Sequence, residues 1–176
     1  MPIALPLRHP LAAALAAALV LAPPARAQQV VADGDLQEPP TGEYHTTEPV
    51  LPGDPTGYVF YALNGGRIET TGGIVLRSAG AGAAAVRLEG SGTTIDLMSD
   101  TEIASMGDGA AGMSVQDRAQ LRAENVRIDT QGVNSHGIEV DAASAGVSVG
   151  QITTRGLGAH GLVASAGGFI NFLGGS

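Results

Sequence analysis

The 176-residue chain carries 15% charged and 3% aromatic residues, no Trp, and 26 glycines. That excludes a thick globular interior filled with large side chains and points to a narrow core of small and β-branched residues crossed by many turns. All nine basic residues are Arg, set against 17 acids; the net charge of −8 argues against nucleic acid or anionic membrane as a partner, and the lack of cysteine excludes a disulfide framework or a thiolate metal site.

The first element in chain order is a targeting segment, residues 1–27. Arg8 precedes the apolar run Leu11–Ala22, and Ala25 and Ala27 then match the small-x-small rule for cleavage before Gln28. The run is too short to span a bilayer, which takes about 20 apolar residues. A buried alanine-rich helix is the competing reading, but it does not account for the charge, apolar run and cleavage site occurring in that order. The mature chain is therefore expected to leave the cytoplasm as a signal-peptide product, with 7 Arg against 17 acids.

Residues 28–57 hold six acids, no base and five of the ten prolines. Proline removes backbone donors and biases its neighbours to extended conformations, so an irregular lead-in is expected. His45, within it, has no partner nearby in sequence.

From residue 58 onward the chain repeats itself. A partial unit at Tyr58–Gly73, with Ile68 and Gly72 spaced like the later starts, is followed by four windows beginning at Leu76, Ile103, Ile128 and Ile152. The starts are 27, 25 and 24 residues apart. Position one is aliphatic. Position three is a small hydroxyl (Ser78, Ser105, Thr130, Thr154), and position five is glycine (Gly80, Gly107, Gly132, Gly156). Position ten is Ala85, Gly112, Gly137 or Gly161. Aliphatics follow at position eleven (Val86, Met113, Ile138, Leu162) and usually at thirteen (Leu88, Val115, Val140, Ala164). A third alternating pair is read at Ile95/Leu97, Leu121/Ala123, Val147/Val149 and Ile170/Phe172.

Period-two alternation broken by glycine predicts short strands and corners, and excludes helix. Three strands per unit of about 25 residues make a triangular rung that cannot bury its inward face alone, so rungs must stack about 4.8 Å apart in parallel register. The fold expected for residues 58–176 is all-β, a parallel β-solenoid of about four to five rungs. The closing GGFINFLGGS is followed by no cap, which predicts self-association through an open last rung.

Chemistry is sparse in this pattern. His136 and His160 both occupy position nine, so stacked rungs bring them about 5 Å apart; they are the candidates for a two-His metal site or a pH-sensitive ladder. Alanine fills the equivalent Ala84 and Ala111 and no third ligand is evident, so decoration of an exposed corner is the favoured reading. Arg87 and Glu139 share a column, as do Glu89 and Asp141, each pair separated by a rung bearing Ser114 or Gln116. Such isolated charges suit a solvated face better than the clustered carboxylates of glycan cleavage. Gly107-Asp108-Gly109 matches a calcium-binding glycine–aspartate repeat in one copy only, and reads as a turn. The Ser/Thr column at position three reads as hydrogen bonding along the stack. No catalytic residue and no cofactor is assigned.

The unit I-x-T-x-G-x-x-A-H-G-[IL], with G-G-x-I-x-F closing the rung, resembles the passenger domains of bacterial autotransporters, over residues 58–176. These are similar to the pertactin-like, pectin-lyase-like right-handed parallel β-helix. The resemblance implies a surface or secreted protein of a Gram-negative bacterium, often an adhesin or virulence factor touching a host or bacterial cell-surface receptor or glycan. It also implies a C-terminal β-barrel translocator anchored in the outer membrane. No ten-residue alternating strands of that kind occur before Ser176, so the chain is expected to be a fragment of a longer gene or a truncated product. The expected function is a non-enzymatic exported scaffold or adhesin; the alternatives are a secreted β-helix enzyme acting on polysaccharide, or a vestigial truncated autotransporter.

Overall fold

The aliphatic columns at positions one, eleven and thirteen of the windows are ladders of paired strands, and the third pair departs from its reading in turn five. The computed structural model describes residues 29–175; the expected targeting segment, residues 1–27, lies outside them. Within the described residues the chain winds as an all-β parallel solenoid of six turns. Turn one holds β1 (Val30–Asp33), β2 (Leu36–Gln37) and β3 (Gly42–Thr46), and turn two holds β4 (Phe60–Leu63), β5 (Arg67–Thr70) and β6 (Ile74–Ser78). Turns three to five hold β7 (Val86–Glu89) with β8 (Thr94–Ser105), β9 (Met113–Gln116) with β10 (Gln120–Thr130), and β11 (Ile138–Asp141) with β12 (Ser144–Thr154). Turn six holds β13 (Leu162–Ser165) and β14 (Phe169–Phe172). Strands β1, β4, β7, β9, β11 and β13 form one sheet, and the remaining strands the other.

The core is the space between these sheets. From the first come Phe60, Val86, Met113 and Ile138, with Ala62, Leu88, Val115 and Val140 beside them, all fully buried. Ile68, Ile95, Leu121 and Ala145 face them, as do Leu76, Ile103 and Ile128. Each such aliphatic contributes roughly 1.5–3 kcal/mol on burial, which lets a core with few aromatics hold together. In turn six Leu162 is 43% exposed, because among the described residues nothing stacks on its far side.

Several expectations are corrected. The lead-in is not wholly irregular: Val30–Asp33 pairs with Phe60–Leu63, and Gly42–Thr46 with Ile74–Ser78, so it supplies turn one. Its prolines 39 and 40 fall in the corner between β2 and β3, where no ladder donor is required. With the partial unit completing turn two, six turns replace four to five. Ile68 joins the column of Ile95, not the column of the window starts. The third pair in turn five is Ala145/Val147, because Leu121 faces Ala145; Val149 is 54% exposed.

The rung is also not three separate strands throughout. In turns three to five the second and third strands merge into single strands of 11 or 12 residues, with a register shift between Ala123 and Asn125. Pro39-Pro40 and Gly72-Gly73 interrupt the ladder in turns one and two. Met98-Ser99, Glu124 and Ser148-Val149 carry no such breaker, so pairing continues around the bend.

The position-five glycines are required by close approach. A Cβ on Gly107 would collide with the carbonyl oxygen of Gly80, one on Gly132 with that of Gly107, and one on Gly156 with that of Gly132. None of them has positive φ. The left-handed residue of this corner lies two positions on, at Gly82, Gly109, Asn134 and Gly158.

Candidate functional site

His136 and His160 stack with ring centroids 5.4 Å apart and planes 14° from parallel. The His160 backbone N–H donates to His136 Nδ1 at 3.1 Å, which leaves His136 only Nε2. Among the described residues no group of three or more His, Cys, Asp or Glu is placed to hold a metal. The pair stands on the corner that precedes β11 and β13.

The hydroxyl column turns inward and is buried at Thr46, Ser78, Ser105 and Thr130. Among the described residues only the Ser78 and Ser105 hydroxyls of this column bond to each other along the stack, at 2.9 Å. Ser105 also donates to Ala111 O, and Thr130 donates to Ser135 O, so these hydroxyls mostly cap the corner of their own turn. Gly107-Asp108-Gly109 is a turn with Gly109 at φ +67°, and Asp108 Oδ1 accepts the Val133 N–H. Exposed ion pairs such as Arg155–Asp129 and Arg77–Glu43 decorate the outside and contribute little.

One cluster was not legible in the windows. On the outer face of the first sheet, Tyr61 of β4 stands beside Arg87 of β7, and the column continues through Ser114 and Glu139. The expected separation of Arg87 from Glu139 holds, but Arg87 is not isolated. Its Nε and Nη2 donate to Glu89 Oε2 at 3.2 and 2.6 Å; Nη1 donates to Ser114 Oγ at 2.9 Å and Nη2 to Gln116 Oε1 at 2.6 Å. Tyr61 OH donates to Glu89 Oε1 at 2.5 Å. The Arg87 guanidinium lies over the Tyr58 ring, 5.8 Å from its centroid, and the Tyr58 and Tyr61 rings are 5.1 Å apart.

The segment after β3 builds a wall opposite this cluster. Gly53, at φ +78°, turns the chain after Pro52. Asp54 then caps a single 3₁₀ turn, Pro55–Gly57: its Oδ1 accepts the Thr56 N–H at 3.0 Å, and Pro55 sits where no donor is needed. The Val50 N–H donates to Ala81 O, tying the wall to turn three. Between wall and sheet lies a cleft of about 670 Å³ into which Tyr58, Tyr61, Leu63 and Glu89 project.

Its electrostatics follow from these contacts. Burial raises the Tyr61 phenol, and the hydrogen bond to Glu89 and that carboxylate's charge raise it further, so it stays protonated. Burial also raises the Tyr58 phenol. For Glu89, burial pushes the carboxyl up, but the Tyr61 hydrogen bond and the bond and charge of Arg87 outweigh it and hold the group below its ordinary value. The result is a fixed carboxylate beside a protonated phenol, at the edge of an aromatic and aliphatic cleft.

The sequence signal for this site was the alternation of VFYAL (Val59–Leu63), which superposes on AVRLE (Ala85–Glu89) one turn later. Comparison of the chain with protein-family models, with curated proteins and with solved structures gives no match in any of the three.

Proposed function

We propose that this chain is an exported, non-enzymatic passenger segment of an autotransporter, acting as a surface scaffold and adhesive module in host or cell-surface contact. The observation that carries the reading is the Tyr61–Glu89–Arg87 network. Acid–base catalysis wants a group poised to exchange a proton near the working pH. Here burial and then the Glu89 hydrogen bond hold the phenol protonated, while against burial the Tyr61 and Arg87 hydrogen bonds and the Arg87 charge keep the carboxylate ionised. Such a network presents fixed hydrogen-bonding geometry, which serves recognition. The solenoid supports the reading by setting outward side chains in rigid columns, and the sequence of residues 1–27, with its charge, apolar run and small-x-small site in that order, supports export. A translocating barrel and a receptor or glycan are the partners it implies.

Labelled full chain is expected to bind host or bacterial cell surfaces saturably, and to leave pectin-like and other acidic glycans uncut. New unsaturated or reducing ends would favour the polysaccharide-cleaving alternative and overturn this reading.

A further inference from the structure

We propose that the cleft between the Val50–Gly57 wall and the outer face of β4 binds a neutral saccharide, with the Tyr58 ring as stacking face and the Glu89 and Asp54 carboxylates as acceptors of sugar hydroxyls. This rests on the adhesive reading and names the ligand class of that surface.

Size comes first. About 670 Å³ falls within the roughly 300–1,000 Å³ of small-ligand clefts, which combine an apolar lining with a few fixed polar groups. The lining meets that description. Leu51, Pro52 and Leu63 supply apolar surface, and Tyr58 is only partly buried. A sugar ring offers the complement: an apolar C–H face that packs on an aromatic ring, and O–H donors around its rim.

Charge then selects among saccharides. The cleft is lined by two carboxylates, Asp54 and Glu89, and no cation among the described residues lines it. The nearby cation, Arg87, has its Nε, Nη1 and Nη2 engaged by Glu89, Ser114 and Gln116. No guanidinium fork is therefore free for a uronate or sulfate, and the carboxylates repel either. A cationic ligand is disfavoured by like-charge repulsion: the Arg87 guanidinium stands beside the cleft, paired with Glu89 and 5.8 Å from the Tyr58 ring centroid. A neutral polyol meets neither obstacle. Its hydroxyls make charge-assisted hydrogen bonds to a carboxylate whose orientation is already fixed by Tyr61 and Arg87.

The test titrates full chain with neutral hexose oligosaccharides, oligouronates and cationic deacetylated chito-oligosaccharides, by calorimetry and by tyrosine emission. Saturable binding of a neutral oligosaccharide is expected, at least tenfold tighter than either charged set. Tyr58→Leu and Glu89→Gln should each weaken it tenfold or more. The isosteric Glu89→Gln decides the matter should Tyr58→Leu lose its strand circular dichroism. Preference for a charged set, no neutral binding, or full affinity in Glu89→Gln would overturn the assignment. Cell adhesion undiminished by both variants would sink this site and leave the adhesive reading standing. Neutral-sugar binding without any cell adhesion would do the reverse.

Discussion

Replacing Ile138 with Asp is expected to unfold the solenoid or bring it to the edge of unfolding at room temperature. Ile138 is fully buried in β11 and pairs with Met113 on one side and Leu162 on the other. The substitution removes an aliphatic side chain and leaves the associated cavity, typically about 2–5 kcal/mol. It also places in that column a carboxylate with no partner, which adds several kcal/mol more or forces its protonation. A domain with roughly 5–15 kcal/mol in total does not withstand that sum. The paired control is Val149→Asp in the neighbouring strand β12. Val149 is 54% exposed, so its change is expected within about 0.5 kcal/mol. Chemical denaturation followed by far-ultraviolet circular dichroism measures both. Equal losses would mean that the inward and outward assignments are wrong.

The second large effect concerns a residue with no side chain. Gly132→Ala would set a methyl group against the carbonyl oxygen of Gly107 and against Ser135 Oγ. The oxygen belongs to the backbone of the turn below, so relief requires the two turns to part and the ladder between them to stretch. A loss of roughly 2–3 kcal/mol is expected, the upper part of the range for overpacked sites. Gly109→Asn is the informative comparison. Gly109 has φ +67° but open space around it, and the equivalent corner residue one turn later is Asn134 at φ 53°. Asparagine is among the residues that tolerate this conformation, so this change is expected to cost less than 1 kcal/mol. Thermal melts of the two variants separate close approach from left-handed backbone as the reason glycine stands at each place. A larger loss for Gly109→Asn would reverse that assignment.

The columns were legible because the physics that makes them is periodic. A solenoid interior admits one aliphatic at each inward position of every turn, so Ile103, Ile128 and Ile152 repeat at the turn length and announce the stack. Legibility fails where the repeat is not needed. Turn one is longer than the others, since 30 residues separate Val30 from its partner Phe60; its prolines sit in corners and hide three short strands. The Val149 error has the same root. In turn five the small Ala145, 24 residues after Leu121, is the inward residue, so the alternating pair is Ala145/Val147 and the larger Val149 faces out.

The Tyr–Glu–Arg cluster was missed for another reason. Outward positions do not face the core that the windows share, so Tyr61, Arg87 and Ser114 have no common residue type that would align them. Only the register of their inward neighbours, Phe60 with Val86 and Val86 with Met113, brings them side by side. The wall Val50–Gly57 is less readable still. Its proline-rich sequence states that it is not a ladder strand, but its position depends on contacts with turn three that no local rule encodes.

The central claim is that successive windows lie directly on one another in a single parallel register, and cysteine pairing tests it most directly because the native chain has no cysteine to interfere. Asp129 of β10 and Thr153 of β12 are register partners on the outer surface. Adjacent strands bring such Cα atoms to about 4.8 Å, inside the span a disulfide bridges. The Asp129→Cys/Thr153→Cys chain is expected to close its disulfide rapidly under mild oxidant with strand circular dichroism intact. Asp129→Cys/Gln151→Cys, two residues out of register, should stay largely open. Equal closure of both pairs, or failure of the in-register pair, would contradict the stacked solenoid.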